Sequence, residues 1–490
     1  MKRLCEATLA EYDGPATRPT YNRVSVTARI VHLGIGAFHR AHQAVYIDDC
    51  LAIDPSWGIV GASLRRGDTA DALQPQDCLY TLAVRDGNRT DTRIIGAIKE
   101  ILHAPPGNNA VVDRIASANT QIVTLTVTEK AYCRNPATGD LDLQNSDIAA
   151  DLNLPDGARS VPGLLTRALA RRRHLGLPPI SIVSCDNLPA NGTSLARVID
   201  QFAELTDPAL AVWIRDNVAF PSTMVDRIVP ATTDADRAAI SELTGYEDAW
   251  PVITEPFCQW VIEDRFAAGR PPLDEVGVVL TDNVAPFEAM KLQLLNASHS
   301  ALAYLGIAAG YETVADAVGD PVLAAFVLQM MHEEILPTLT VPDIDLETYI
   351  QSLMARYANV ALKHRTIQIA MDGSQKIPQR LLGTISARRS SGNADDRLCL
   401  TVAAWLRHLY MALADGKHSA IDDPMADLFR ATAEKTLPDV NAFGNAILDL
   451  KSVFGADLSA DQTFRNAVLK HLTLLLKDGV HSAVKATLRS

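Results

Sequence analysis

Long unbroken apolar runs are missing from this sequence. Across its 490 residues no stretch reaches the roughly 18 consecutive apolar residues that would cross a bilayer, so no membrane span is expected. The opening Met1-Lys2-Arg3 soon meets Glu6, Glu11 and Asp13 with no apolar segment behind it, so no secretory signal is expected either. Cysteine is scarce. The seven, Cys5, Cys50, Cys78, Cys133, Cys185, Cys258 and Cys399, are odd in number, scattered and without a C-x-x-C pair. That pattern argues against a disulfide framework and predicts reduced thiols in a cytoplasmic protein. It also lacks the ligand spacing of a zinc site, so no bound metal is expected. Positive charge is the minority, with Lys+Arg 45 against Asp+Glu 58 and a formal net charge of -13. An acidic surface disfavours nucleic acid and anionic membrane as partners and leaves small molecules. The one dense basic run, Arg171-Arg172-Arg173-His174, closes an apolar-periodic stretch before Gly176. Cations there complement a helix dipole.

What is present is an ordinary globular composition, 48% hydrophobic and 21% charged, in a chain too long for one core. In the first half, buried-strand runs at residues 30–33, 57–64, 122–128 and 180–184 alternate with helical spacing at 110–118 and 164–175. That alternation predicts an α/β domain with a mostly parallel sheet and helices on both faces. Residues 79–85 and 92–98 flank Asp86-Gly87-Asn88 and read as an inserted hairpin. From Pro286 onward nearly every segment has helical spacing. Phe287, Met290, Leu294, Ala297, Ala301, Leu302 and Leu305 share one face, and Gly306 is read as the end of that helix. Residues 322–336 and 397–413 are amphipathic in the same way. The expected organisation is a dinucleotide-binding domain, 1–285, followed by an all-helical domain, 286–490.

Three segments carry chemistry. Gly34-Ile35-Gly36 follows the first strand. Glycines there let the backbone turn tightly against a pyrophosphate resting on the next helix. His39 stands where a third glycine would complete the fingerprint, and a plain strand-to-helix turn also accounts for the pair. His39 and His42 have no third ligand nearby and are read as packing residues. The second segment is Lys291-Leu292-Gln293-Leu294-Leu295-Asn296-Ala297-Ser298-His299. Lys, Asn and His fall within an arc of about 140° on an apolar helix. Burial would lower the lysine's pKa toward neutrality and make it a base for a hydroxyl proton. Asn296 and His299 would steady the alkoxide. A surface lysine beside structural Asn and His is the alternative. The third is Ser184-Cys185-Asp186-Asn187-Leu188-Pro189, at a strand's carboxyl end, where ligands of open α/β sheets bind. Asn187 is placed there to help Asn296, unless the segment is only an Asx-turn.

At these residues the sequence resembles a known family, the long-chain polyol dehydrogenases, which include mannitol 2-dehydrogenases and fructuronate reductases. The likeness runs from about residue 28 to the C-terminus. It rests on Gly34-Ile35-Gly36-Ala37-Phe38-His39-Arg40-Ala41-His42, on Thr126-Val127-Thr128-Glu129-Lys130-Ala131-Tyr132, on residues 184–192, 220–230 and 255–260, and on 291–299. The resemblance implies a Rossmann-type first domain and metal-independent catalysis. It implies Lys291 as general base, Asn187 and Asn296 as oxyanion donors, and His299 as a hydrogen-bond donor to substrate. It places Asp226 at the substrate, and Gly34, Gly36, Phe38 and Arg40 in the nucleotide loop. Many members are monomers.

Within that family the sequence is closer to the fructuronate reductases (D-mannonate oxidoreductases), with polyol oxidation of the D-mannitol type as the alternative. Lys130, His364-Arg365-Thr366 and Met371-Asp372-Gly373-Ser374-Gln375-Lys376-Ile377-Pro378-Gln379-Arg380 carry this. A sugar acid has a carboxylate that a polyol lacks, and charge-assisted bonds would favour it. Lys130, Arg365 and Lys376 are therefore expected around that carboxylate. For the cofactor, Asp68 after the second strand favours NAD. The neighbouring Arg65-Arg66 pair, with Gly67, leaves NADP open.

Overall fold

Five short apolar strands pair side by side in one parallel sheet. They are β1 (Ala28–Leu33), β2 (Gly58–Ser63), β3 (Ile98–His103), β4 (Ile122–Leu125) and β5 (Ser181–Ser184), in the order β3-β2-β1-β4-β5 with all neighbours parallel. The computed structural model describes the chain except residues 106, 108, 136–137, 154–156, 343, 417–420 and 489–490. The chain divides into two units, Met1–Ala285 and Pro286–Ser490.

The first unit holds the sheet. Successive side chains point to opposite faces, and the apolar residues separate accordingly. Val31, Leu33, Val123, Leu125 and Ile182 join Leu165, Leu169 and Ile199 in one core. Ile30, Ile59, Ile122 and Val183 join Ile47 and Trp260 in another. From β1 the chain builds outward to β2 and β3, then returns to β4 on the other side. The strand order therefore reverses between β1 and β4, and such a reversal opens a crevice at the strands' carboxyl ends.

The hairpin forms as an antiparallel pair, Tyr80–Asp86 with Arg89–Ile95, turning through Gly87 at φ 54. Its second strand stops at Ile95 rather than continuing to residue 98. The reason is Gly96, whose amide donates to the Asp48 carboxylate at 2.8 Å and whose carbonyl accepts from Arg23 Nε at 2.9 Å. Side chains take both backbone groups, the pairing breaks, and Ile98 starts β3. The basic run does end helix Val161–His174. Arg172 is nevertheless buried, and its Nη1 donates to the Ile115 and Ser117 carbonyls at 2.8 Å each.

The second unit is helical, and among its described residues no strand forms. Helix Ala297–Ala309 packs against Thr366–Ala370 and Asp396–Ala414, and the last of these packs on Gln462–Lys477. The expected stop at Gly306 is corrected. The helix runs on to Ala309, and Gly310 ends it at φ 88. A Cβ on Gly306 would lie 3.1 Å from Ala317 Cβ and 3.3 Å from Thr366 Cγ2. This glycine is there for close approach of neighbouring segments, not for termination. The residues from 291 to 296 are also not α-helical. Lys291–Asn296 is a π-helical stretch, as are Met330–Ile335 and Pro378–Leu382.

Asp320 fixes one helix start in this unit. Its carboxylate accepts from the amides of Val322 and Leu323, from Tyr311 OH at 2.9 Å and from His481 Nε2 at 2.5 Å. Burial opposes its ionisation, but these donors together outweigh it and hold the carboxyl below its ordinary value. A depressed carboxyl contributes stability in full above the unfolded value of about 3.9, and loses it as pH falls through the lower folded value. Asp320→Ala should lower stability at pH 7 by about 1–2 kcal/mol. In denaturation curves that deficit should vanish at the acid end of the range. A deficit independent of pH would refute the assignment.

Candidate active site

A recess of about 590 Å³ opens at the carboxyl edge of the sheet in the first unit. It is lined by Gly34 and Gly36 after β1, by Arg65, Arg66 and Asp68 after β2, and by Thr128 and Lys130 after β4. Gly34 adopts φ +91, and a Cβ there would lie 2.1 Å from the Thr126 carbonyl. No other residue fits where the turn crosses from β1 beneath β4. Gly36 precedes helix Ala37–Ala41, and a Cβ on it would meet nothing closer than 3.9 Å. Its missing side chain leaves space in the recess, and the volume lies in the range of small-molecule sites. The residues present fit a dinucleotide. In the position of a third glycine, the His39 ring stacks on His32 with centroids 3.4 Å apart. Two flat rings in contact give the close helix-to-strand approach that a glycine would otherwise allow. His32 is itself held by Thr124 Oγ1 at 2.7 Å and Thr126 Oγ1 at 2.9 Å, and burial pushes its pKa down to about 3.

The wall of this recess is tied to β5 by one carboxylate. Asp186 accepts from the Val127 amide at 3.1 Å, the Thr128 amide at 3.0 Å and Tyr132 OH at 2.8 Å. Tyr132 OH also meets Ser184 Oγ at 2.5 Å. Burial raises the Asp186 pKa, with the tyrosine and the two amides opposing. Thr128 is held at φ 72, ψ 158, a conformation that β-branched residues avoid. Asn191 does similar work on the next segment. Its Nδ2 donates to the carbonyls of Asp186 at 3.0 Å and Thr223 at 2.9 Å, and its Oδ1 accepts from the Thr223 amide at 2.9 Å. Asn191 thus fixes the loop that carries the exposed Asn187 against the strand Thr223–Asp226, whose Asp226 is buried.

The second unit contributes the lysine segment. Residues five apart on an α-helix sit about 140° apart. The π-helical i→i+5 pattern over Lys291–Asn296 instead brings Asn296 toward the side of Lys291. Lys291 is only 8% exposed and His299 6%. The carbonyls of this stretch are taken by side chains. Ser298 Oγ donates to Leu294 O, Tyr357 OH donates to Leu295 O at 3.1 Å, and Arg380 Nη1 donates to Asn296 O at 3.3 Å and Ser300 Oγ at 3.1 Å. The His299 ring lies over Tyr357 at 4.7 Å and edge-on to His364 at 5.3 Å. Its Nε2 is buried without a hydrogen-bond partner. Burial, with the cations of Arg380 and Arg356 and the neighbouring His364, holds its pKa well below the ordinary value, so the ring is neutral.

Two family profiles account for most of the chain. The Mannitol dehydrogenase Rossmann domain matches residues 28–275, and the Mannitol dehydrogenase C-terminal domain matches residues 283–476. The chain belongs to the mannitol dehydrogenase family. It is an oxidoreductase of that family. The D-mannonate oxidoreductase of Escherichia coli is 42% identical over 488 residues, covering 98% of this chain and 99% of that protein. A mannitol 2-dehydrogenase of Phaeosphaeria nodorum is 40% identical over 476 residues, 96% of this chain and 83% of that one. Among solved structures, the Pseudomonas fluorescens mannitol 2-dehydrogenase in ternary complex with NAD and D-mannitol superposes with a TM-score of 0.88 at 34% identity, covering 100% of both chains.

As a member of this family, the chain places its expected site residues unevenly. Gly34, Gly36 and Asp68 line the recess, and Lys130 lines it with them. Arg40 does not. It is turned inward, with its guanidinium over Tyr80 at 5.4 Å and Nη1 on the Trp250 carbonyl at 2.5 Å. The helix starting at Ala37 has come round to its buried side by Arg40, so this residue supports the fold instead of facing the nucleotide. Phe38 stacks on His42 at 5.1 Å and stays partly exposed. Arg365 is exposed at the start of helix Thr366–Ala370, and Lys376 Nζ donates to the Ile369 carbonyl at 3.3 Å. Arg380, in the same stretch, bonds to the Asn296 segment. The residues that sequence reasoning did not single out are Asp186, Asn191, Tyr357 and Arg380. Three lay inside motifs already noticed, but nothing in their spacing marks a long-range hydrogen bond.

Removing the Asp186 carboxylate should therefore cost about 2–3 kcal/mol by leaving buried donors unmatched. Asp186→Ala should lower the denaturation midpoint of the first unit. Adding Thr128→Gly should recover about 1 kcal/mol or more, because glycine relieves the positive φ. If Thr128→Gly destabilises in both backgrounds, as glycine does at an unstrained site, the strain assignment is wrong.

Proposed function

We propose that this protein interconverts a secondary alcohol and a ketone on an open-chain sugar acid, reducing D-fructuronate to D-mannonate or running the reverse. The observation that carries the reading is the buried lysine at the head of a π-helical stretch, together with Asn296 and a neutral His299 whose Nε2 has no partner. That set suits proton transfer beside a developing alkoxide. Likeness to the D-mannonate oxidoreductase over nearly the whole length supports the sugar acid. The second reading is a mannitol 2-dehydrogenase, supported by the 40% identical relative and the D-mannitol complex.

NAD is the assigned cofactor, as bound in the Pseudomonas fluorescens enzyme, and when bound it accepts or supplies the hydride. Gly34 and Gly36 would carry its pyrophosphate and Asp68 its ribose hydroxyls. Arg65 and Arg66 line the same recess, so NADP is the alternative. In alcohol oxidation Lys291 Nζ, neutral, accepts the hydroxyl proton as the carbon–hydrogen bond breaks. In ketone reduction Lys291 returns that proton to the carbonyl oxygen. Asn187 and Asn296 donate hydrogen bonds to the oxygen as it gains negative charge. His299 Nε2 orients a neighbouring hydroxyl, and Asp226 accepts from the polyhydroxy chain. Lys130, Arg365 and Lys376 are assigned to the substrate as cations. We assign the chain to the cytoplasm as a monomer, on its free cysteines and on the habit of the family.

Lys291→Ala should lower turnover by about 10²–10⁴-fold, the usual worth of a positioned acid–base group, while cofactor titration is unchanged. Turnover near the wild-type rate would end the lysine mechanism. Because the proton goes to a lysine and not to a metal-bound hydroxide, treatment with a chelator should leave the rate intact. Stoichiometric zinc whose removal abolishes activity, and whose return restores it, would contradict this. Substrate class is decided by a panel of fructuronate, tagaturonate, fructose, mannitol and arabinitol with NAD(H) and NADP(H). Preference for fructuronate is expected, and preference for fructose or mannitol would establish the second reading.

A further inference from the structure

We propose that Arg380 is the residue that holds the substrate's carboxylate, a specificity role that rests on the sugar-acid reading above. Arg380 lies in the π-helical stretch Pro378–Leu382, which packs against the stretch Lys291–Asn296. Its guanidinium bonds are made through Nη1, to Asn296 O at 3.3 Å and Ser300 Oγ at 3.1 Å, and both acceptors are uncharged. No carboxylate pairs with it among the described residues.

Arg40 and Arg172 of the first unit are likewise buried on backbone carbonyls, but Arg380 stands beside the Lys291–Asn296 stretch. Arginine is rarely enclosed without an acidic partner, because the charge loses water and gains no counter-ion. Three other arginines of this unit do meet carboxylates. Arg397 pairs with Glu334 and Glu333, Arg389 with Asp395 and Asp461, and Arg465 with Asp449. Arg380 lies near Tyr304, Tyr357 and His299 instead, and burial pushes its pKa down to about 10, with Tyr304 and Tyr357 opposing. The side chain keeps some solvent contact.

Two further groups point the same way. His299 is 6% exposed with Nε2 unmatched, and His364 Nδ1 is likewise buried without a partner. These rings touch edge to face at 5.3 Å. Burial and Lys376 push the His364 pKa down to about 4, so near neutral pH it adds a donor and no charge. A guanidinium offers five N–H groups in a planar fork, and two parallel N–H groups match the two oxygens of a carboxylate. With Nη1 fixed on the Asn296 carbonyl, the fork is held in one orientation before substrate arrives. A polyol brings no charge to answer it. The bond from Arg380 to the Asn296 carbonyl also sets the carboxylate end of the substrate at a fixed reach from the Lys291–Asn296 stretch.

The test compares fructuronate with fructose on the wild type and on Arg380→Leu, Arg380→Gln and Arg380→Lys, with circular dichroism and thermal melts on each. Arg380→Gln keeps a donor for the Asn296 carbonyl without the charge, so it reads specificity even if Arg380→Leu fails to fold. The wild type should prefer fructuronate. Arg380→Gln should lower kcat/KM for fructuronate by about 10- to 150-fold, the worth of a charge-assisted bond, mostly through KM, and leave fructose nearly unchanged. Arg380→Lys should retain part of the preference. If the wild type prefers fructuronate but Arg380→Gln loses both substrates alike, or loses neither, the assignment of Arg380 is wrong and the sugar-acid reading stands. If the wild type prefers fructose, that reading is wrong and the assignment falls with it.

Discussion

A buried backbone group that leaves regular secondary structure must find another partner, and in each unit the candidate residues stand where side chains meet that demand. In the first unit the chain leaves β4 at Leu125 and turns sharply, and the free amides of Val127 and Thr128 go to the Asp186 carboxylate. In the second unit the helix opens into a π-helical stretch at Lys291, and Ser298, Tyr357 and Arg380 take the carbonyls of Leu294, Leu295 and Asn296. Each departure costs regular hydrogen bonds and gains placement of the residue beside it. Thr128 enters the nucleotide recess, and Asn296 swings toward Lys291.

The supporting residues are consequently polar, buried and remote in sequence from what they support. Asp186 lies 58 residues beyond the Thr128 amide it binds, and Arg380 lies 84 beyond Asn296. Hydrogen bonds at such separations are made only in the folded chain, so the site's geometry depends on global folding and not on local helix or turn propensity. His39 shows how packing substitutes for a missing fingerprint residue. Stacking on His32 gives the approach a glycine would have given, and both imidazoles remain neutral because burial disfavours their charged forms.

The two cation clusters of the second unit differ in the same physical sense. Arg389, Arg397 and Arg465 meet carboxylates of the chain itself and hold helices together. Arg380 meets neutral acceptors, so its charge is left for a ligand to answer. The same burial that depresses its pKa would strengthen a bond to an incoming carboxylate, since the surroundings screen less than water does.

By itself the sequence determined the plan. Periodicities of two and of about 3.6 residues separated the sheet from the helices, Pro286 marked the passage between them, and Gly34-Ile35-Gly36 marked the turn after the first strand. Those features are local, and a local reading recovers them. What a local reading misplaced was decided by contacts between distant segments. Gly306 reads as a helix stop, but it is the point where Ala317 and Thr366 press against the helix. Arg40 follows the phosphate loop in sequence, but helix geometry turns it into the core beside Tyr80. Residues 291–299 have α-helical spacing, but side chains from residues 357 and 380 satisfy the carbonyls that let the helix widen. Which cation faces the reacting segment could not be read from the order of Arg365, Lys376 and Arg380. Only the tertiary structure shows that Arg380 has reached Asn296, with no acidic partner among the described residues.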